Sequence, residues 1–343
     1  MPETSSSDDV SVVSPAHTLV LVAPGQGAQT PGMLAPWLDA PGAGTVLAAL
    51  SEASGVDLVK HGTESDADTI RDTAIAQPLL LAAALLSLHA TLVAAGRGAG
   101  LQGGAAALNA ALVAGHSVGE FAAAVAAGVL SPEDAARLVG IRGRAMAKAA
   151  AVTPTGMTAV LGGDIADVSA DLVARGITPA NVNGAGQVVA AGTLEQLSEL
   201  AANPPSGVRL RPLDVAGAFH TSHMAAAVAE LQAAAESIEP SDALVPFVSN
   251  ADGVALTDGS SIVQRLVAQV SSPVRWDSCT DTFAAQGVDV LVELAPGGTL
   301  TGLAKRALPG TTLVALKAPT DVAAVIDLIG DATSPRTTNG VHA

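Results

Sequence analysis

Apolar and polar residues recur along this chain in two different periods, and the changes from one to the other outline an α/β protein. Thr18–Ala23 is a short β-rich apolar run that ends in the glycine turn Pro24-Gly-Gln-Gly27, so it predicts a strand feeding a loop. The spacing over Ile75–Ala95 predicts a long helix, and Gly96–Gly104 predicts a glycine-rich connection. A second strand is predicted at Ala111–Ala114 and a helix at Val118–Ala127, which leaves almost no room for the turn between them. Another helix opens at Ser131-Pro-Glu-Asp134, where a capping serine, a proline at the first helical position and acids in the first turn suit a helix start.

From about Thr155 the pattern tightens into a βαββαβ unit. It predicts a strand at Thr158–Leu161, a helix at Ile165–Ala174, strands near Pro179–Asn183 and Gln187–Ala191, a helix at Leu194–Ala201 and a strand at Val208–Asp214. That order suits an inserted ferredoxin-like subdomain over residues 155–216. The main pattern returns with a helix at Thr221–Ile238, a strand at Pro246–Ser249 and a strand at Val288–Glu293 that ends at Pro296-Gly-Gly298. Residues 18–154 and 217–330 are thereby expected to form one α/β core. Its glycine turns lie after the strands, where the sites of such sheets tend to form.

The ends and the composition narrow the class. Residues 1–17 are Ser/Asp-rich, lack the basic start and apolar run of a signal peptide, and read as a disordered leader; residues 331–343 read as a loose tail. Leu79–Gly96 is apolar enough to raise a membrane span, but it is short and carries Ser87 and His89, which favours a buried core helix. A cytoplasmic protein is expected. Apolar residues make up 49% of the 343 but aromatics only 2%, with no Tyr, so the core is expected to be built from Ala, Val and Leu. The net charge of −16 argues against nucleic acid or an anionic membrane as partner. The single cysteine, Cys279, excludes an intrachain disulfide framework and a cysteine-cluster metal site. The seven histidines show no HExxH-like pair, and neither a metal nor a cofactor is expected.

The chemistry concentrates in Val113-Ala-Gly-His-Ser-Val-Gly-Glu120. A serine on a tight strand-to-helix turn projects its hydroxyl outward, and the N–H of the next residue can meet the oxyanion formed when that hydroxyl attacks a carbonyl. Ser117 is therefore the candidate nucleophile. Neighbours on such a turn point apart, so His116 reads as a packed or hydrogen-bonded structural residue. His220 stands where a strand is expected to pass into a helix, and the positive end of that helix should help keep a neutral base; the alternative is a histidine that merely serves the helix start. His223 reads as a helix-surface residue. Arg142 falls inside the apolar arc of Leu138, Val139, Ile141, Ala145, Met146 and Ala149. A buried guanidinium needs an anion, either a structural acid or a carboxylate on the substrate itself, which would make the acyl group a malonyl type.

Gly25-Gln-Gly-Ala-Gln29, Gly115-His-Ser-Val-Gly-Glu120, Arg142-Gly-Arg-Ala-Met146, Asn181-Val-Asn183 with Gly186-Gln-Val-Val189, Gly217-Ala-Phe-His220, Pro273-Val-Arg-Trp276 and Gly302-Leu-Ala-Lys-Arg306 occur in this order. The chain in this respect resembles the malonyl-CoA:acyl carrier protein transacylases, over about Leu19 to Leu316. The resemblance implies an α/β-hydrolase-like core with an inserted ferredoxin-like subdomain. It implies Ser117 as nucleophile, His220 as general base, Arg142 as the clamp on the malonyl carboxylate, and the N–H groups of Gln26 and Val118 as the oxyanion hole. It further implies Gln269 as the residue whose main-chain carbonyl orients the histidine. Met146 and Phe219 match residues lining the acyl pocket, with Asn183 as a neighbour from the subdomain.

The implied reaction is ping-pong transfer of malonyl from malonyl-CoA to the phosphopantetheine thiol of an acyl carrier protein, supplying fatty-acid synthesis. A polyketide-synthase acyltransferase acting in trans is the nearer alternative and a serine hydrolase the more distant one. Val118 and Phe219 resemble the malonyl-selective members, and a ring beside the acyl α-carbon opposes a branching methyl. An acidic carrier protein docking on an acidic enzyme requires a local basic patch; Lys305, Arg306 and Arg275 are the candidates, for the carrier or for CoA phosphates.

Overall fold

The computed structural model describes residues 17–98 and 100–330; the leader through residue 16 and the tail from 331 lie outside the described residues. In chain order the strands are β1 (Leu19–Ala23), β2 (Leu112–Gly115), β3 (Thr155–Leu161), β4 (Thr178–Gly184), β5 (Gln187–Thr193), β6 (Arg209–Leu213), β7 (Phe247–Val248), β8 (Ala255–Leu256), β9 (Val274–Arg275), β10 (Val290–Glu293) and β11 (Thr312–Ala315). They form two sheets.

The first sheet runs β11-β10-β1-β2-β7-β8, parallel throughout except for the β7–β8 pair. Leu19, Leu21 and Val113 face one apolar layer, which includes the Thr73–Ala94 helix, while Val20, Val22, Leu112 and Leu291 face a second layer around Trp276 and Phe283. A strand covered on both sides has no polar face, which is why β1 and β2 read as continuous apolar runs rather than alternating ones. The register sets Ala23 beside Gly115. The Gly25 loop and the Ser117 turn therefore leave the sheet at the same end, the C-terminal end of two adjacent strands, and side by side.

The second sheet runs β6-β3-β5-β4-β9. Its first four strands are antiparallel, in the order a βαββαβ unit adopts when each helix crosses over one strand. β9 comes from much later in the chain and joins β4 in parallel, pairing Asn181 with Val274 and Val182 with Arg275. That pairing ties the unit to the segment directly after Gln269.

The Thr73–Ala94 helix begins where Asp72 accepts from the Ala74 N–H at 2.8 Å, two residues before the expected start, and carries Pro78 within its second turn. It is long and apolar enough to cross a membrane, yet its side chains are buried against other elements almost all round. A helix apolar on every side belongs inside a core of this size. The Pro132–Ala150 helix starts on Ser131, whose Oγ accepts from the Asp134 N–H at 3.0 Å. The helix expected over Thr221–Ile238 is shorter. It opens as a 3₁₀ turn, Ser222–Met224, with Thr221 Oγ1 accepting from the His223 N–H, and becomes α-helical only over Ala225–Ala235. The helices Ala43–Ser54, Gly259–Ala268, Trp276–Ala285 and Thr299–Ala307 complete the layers that matter for the site.

Candidate active site

The turn after β2 is made possible by two residues without a side chain. A Cβ on Gly115 would lie 2.0 Å from the Gly119 carbonyl carbon, and one on Gly119 would lie 2.2 Å from the Ala23 carbonyl oxygen. Between them Ser117 adopts a left-handed backbone, φ 53°. Its N–H is held by Asn250 Oδ1 at 2.8 Å, and the Asn250 amide donates to the Gly115 carbonyl at 2.7 Å. One asparagine thus clamps both sides of a strained turn. His220 is likewise left-handed, φ 60°, so both residues able to do chemistry sit in sparsely populated backbone conformations.

Ser117 Oγ lies 2.7 Å from His220 Nε2, and His220 Nδ1 lies 2.8 Å from the Gln269 main-chain oxygen. A carbonyl can only accept, so Nδ1 carries the hydrogen and Nε2 presents its lone pair to the serine hydroxyl. The pKa of His220 is lowered to about 3, first by burial and then by the positive charge of Arg142; the bond to Gln269 acts in the opposite direction. Burial therefore precedes any helix terminus as the source of a neutral base. Gln269 supplies a carbonyl where hydrolase triads place a carboxylate.

Arg142 is 1% exposed. Its Nη1 donates to Gln77 Oε1 at 2.7 Å, and its Nη2 donates to Gln269 Oε1 at 2.8 Å and to Ser117 Oγ at 3.3 Å. Among the described residues none of its direct partners is a carboxylate, and Nε has no partner. Burial lowers its pKa to about 10, which leaves it charged at neutral pH. The guanidinium is thus a buried cation whose hydrogen-bond partners are all neutral, with Glu120 acting on it only from beyond the Gln269 amide, and its fork stands beside Ser117.

Gln26, Gln77, Ser117, Val118, Arg142, Met146, Asn181, Phe219 and His220 line one narrow cavity of about 70 Å³. The Gln26 and Val118 N–H groups are engaged by no protein acceptor among the described residues, which leaves both available to an oxyanion. Met146 is buried, and its sulfur accepts from Gln77 Nε2 at 3.4 Å. Phe219 is buried against the same space. Asn183 is placed one step away: its Oδ1 accepts from His116 Nε2 at 2.9 Å, while Asn181 takes the position on the cavity wall. His116 packs its ring 5.7 Å from that of Trp276 and does not bond Ser117. His223 is half-buried, and its side chain is absent from the cavity wall.

Arg275 is held by both oxygens of Asp277 at 2.9 and 2.8 Å, so its charge is locally offset. Lys305 and Arg306 are exposed on the Thr299–Ala307 helix. Three residues that the sequence did not bring forward are central to this geometry: Gln77, Asn250 and Glu120. The signal for Glu120 was available, since an acid inside Gly119-Glu-Phe-Ala-Ala-Ala-Val-Ala-Ala127 is as anomalous as an arginine on an apolar arc.

The chain matches the acyl transferase domain family over residues 20–338. A malonyl CoA-acyl carrier protein transacylase of Mycobacterium tuberculosis is 47% identical over 307 residues, covering 89% of this chain and 98% of that protein. Its counterpart in Escherichia coli strain K12 is 37% identical over 314 residues, covering 90% and 98%. The crystal structure of MCAT from Mycobacterium tuberculosis superposes with a TM-score of 0.85 at 45% identity, covering 90% of this chain and all of that one. A malonyl-transacylase solved with its type II PKS acyl-carrier protein gives a TM-score of 0.80 at 31% identity, covering 90% and 99%. A serine dyad with a carbonyl orienter, a buried arginine beside it and this likeness across nine-tenths of the sequence have one common reading: the chain belongs to the malonyl-CoA:acyl carrier protein transacylase family.

Proposed function

We propose that this protein moves malonyl from malonyl-CoA to the phosphopantetheine thiol of an acyl carrier protein, in the cytoplasm and in the service of fatty-acid synthesis. Ser117 Oγ attacks the thioester carbonyl while its proton passes to His220 Nε2. The oxyanion is met by the N–H groups of Gln26 and Val118. The C–S bond breaks, and CoA leaves as a thiol with the proton from His220. The carrier thiol then gives its proton to His220 and attacks the malonyl ester, and collapse of that adduct returns the proton to Ser117. These steps draw only on side chains and backbone donors of the chain and on the two substrates.

The observation that carries the reading is Arg142: a buried cation with neutral partners, 3.3 Å from the nucleophile, is complementary to an acyl group that brings its own carboxylate. Met146 and Phe219 bound the remaining space around that group. Residues 155–216 act as a subdomain whose strand β4 lends Asn181 to the cavity wall.

The test is transfer itself. Malonyl-CoA with the holo carrier should yield malonyl-carrier at a rate that the apo carrier cannot support, and Ser117→Ala should abolish it. Hydrolysis of malonyl-CoA at a rate indifferent to carrier would overturn the reading in favour of a hydrolase. A second reading, service to a polyketide carrier, is favoured by the relative solved with a type II PKS carrier. Comparing the two classes of holo carrier as acceptors separates the pathways.

A further inference from the structure

Glu120 has no exposed surface, and no step of the transfer uses it. Its two oxygens are both committed. One accepts from the Asn250 N–H at 2.6 Å and the other from Gln269 Nε2. Those partners are the two residues that hold the chemistry in place: Asn250 clamps the Ser117 turn, and Gln269 orients His220.

The Gln269 amide is the informative member. Its oxygen accepts from Arg142 Nη2 at 2.8 Å, and its nitrogen donates to the Ser117 carbonyl at 3.0 Å and to Glu120. A primary amide has one accepting and one donating end. Rotated by half a turn, it would set N–H against the N–H of Arg142 and oxygen against the oxygens of Ser117 and Glu120. A carboxylate offers only acceptors, so Glu120 selects the orientation in which Arg142 finds an acceptor. Burial raises the pKa of Glu120, while these donors and the charge of Arg142 act to lower it. The acceptor geometry at both oxygens, with two N–H donors pointing at them, is that of the anion.

We propose that Glu120 is a positioning residue for acyl selection: through the Gln269 amide it aims the Arg142 guanidinium at the free carboxylate of the acyl group, and through Asn250 it couples that aim to the Ser117 turn. The inference rests on malonyl transfer through Ser117. A parent enzyme that formed no malonyl-serine would remove that premise, whereas the variants below probe Glu120 alone.

The isosteric change Glu120→Gln keeps the volume and removes one acceptor. One of its ends must then face a donor with a donor, either at Asn250 or at Gln269. The experiment measures acyl-Ser117 formation from malonyl-CoA and acetyl-CoA for the parent, Glu120→Gln, Glu120→Asp, Gln269→Met and the double variant Glu120→Gln/Gln269→Met, with thermal unfolding alongside.

The malonyl-to-acetyl ratio should fall by about tenfold or more in Glu120→Gln, the scale of a lost hydrogen bond to a charged group. Glu120→Asp keeps both acceptors but is one methylene shorter, so it should lose part of the ratio, less than Glu120→Gln does. Gln269→Met should lose the ratio as well, and adding Glu120→Gln to it should change nothing further, because the route runs through that amide. A purely structural role predicts equal losses for both acyl groups, and that result in folded Glu120→Gln overturns the proposal. Should Glu120→Gln not fold, Gln269→Met decides: a loss confined to the malonyl group supports the proposal, and a Gln269→Met enzyme as selective as the parent refutes it.

Discussion

Removing the Arg142 guanidinium with Arg142→Ala should separate the two tasks of the site, selection and transfer. The guanidinium is buried and fixed by Gln77 and Gln269, so a substrate carboxylate reaching it meets donors that need no rearrangement. Truncating one member of a buried, hydrogen-bonded charge pair costs about 2–5 kcal/mol. At about 1.4 kcal/mol per tenfold, kcat/KM for malonyl-CoA should drop by about 30- to 4,000-fold. Acetyl-CoA has no carboxylate to lose. It forfeits only the longer contact from Nη2 to Ser117 Oγ, at 3.3 Å, for which a loss of about tenfold or less is the scale. The fold should be weakened: the oxygens of Gln77 and Gln269 lose a donor, costing about 1–3 kcal/mol each, and buried Glu120 loses a nearby positive charge, while the desolvation of a buried cation is relieved. Quenched-flow trapping of the acyl-enzyme from each CoA ester, with thermal unfolding of the same samples, reads both effects. Equal losses for malonyl and acetyl groups would refute the assignment of Arg142 to the substrate carboxylate and leave it a structural residue.

Other expectations follow from the same contacts. Because the folded pKa of His220 is lowered from the usual 6.5 to about 3, the folded protein binds fewer protons than the unfolded chain between those values; stability is then intact at neutral pH and lost as pH falls, by about 2 kcal/mol from pH 7 to 5. Urea unfolding of the parent against His220→Gln should show the His220 share of that slope lost in the variant, with buried His116, whose pKa is also lowered, still contributing in the same direction, and kcat/KM of the parent should show no acid limb near pH 6.5. Asn250→Ala strips partners from the Ser117 N–H and the Gly115 carbonyl, and should lower stability by about 2–5 kcal/mol in chemical denaturation. An unchanged midpoint would mean that the turn holds itself. Phe219→Ala opens the cavity wall and should raise methylmalonyl use relative to malonyl by about tenfold, the scale of one accommodated methyl group; no change in the competition between the two esters would place the ring elsewhere in the bound complex.

How much of this was legible in the sequence differs from element to element, for physical reasons. β1 and β2 are covered on both faces, so each announces itself as an unbroken apolar run, and the turn at Ser117 is readable because its glycines are demanded locally by backbone approach. The Pro132–Ala150 helix could be oriented on paper because a charged residue on an apolar arc is a conflict visible within one helix. β8 and β9 contribute two residues each, too few for any period to show, and β9 belongs to the sheet of a unit that the chain left some 60 residues earlier. The polar network under the site is the least legible part. Glu120 and Gln269 meet across 149 positions of sequence, Ser117 and Asn250 across 133, and their bonds depend on how the layers close rather than on any local spacing. Asn183 illustrates the same limit. On a strand, alternate residues share a face, yet the irregular register of β4 against β5 leaves Asn181 on the cavity wall and Asn183 on His116.

The central claim is that Ser117 holds the malonyl group between two thiols. The most direct test is peptide mapping by mass spectrometry after a brief exposure to malonyl-CoA, before and after addition of holo carrier protein. The predicted result is a malonyl ester on the peptide bearing Ser117, absent in Ser117→Ala and discharged when the carrier is added. A malonyl group found on another residue, or an ester that the holo carrier leaves in place, would contradict it.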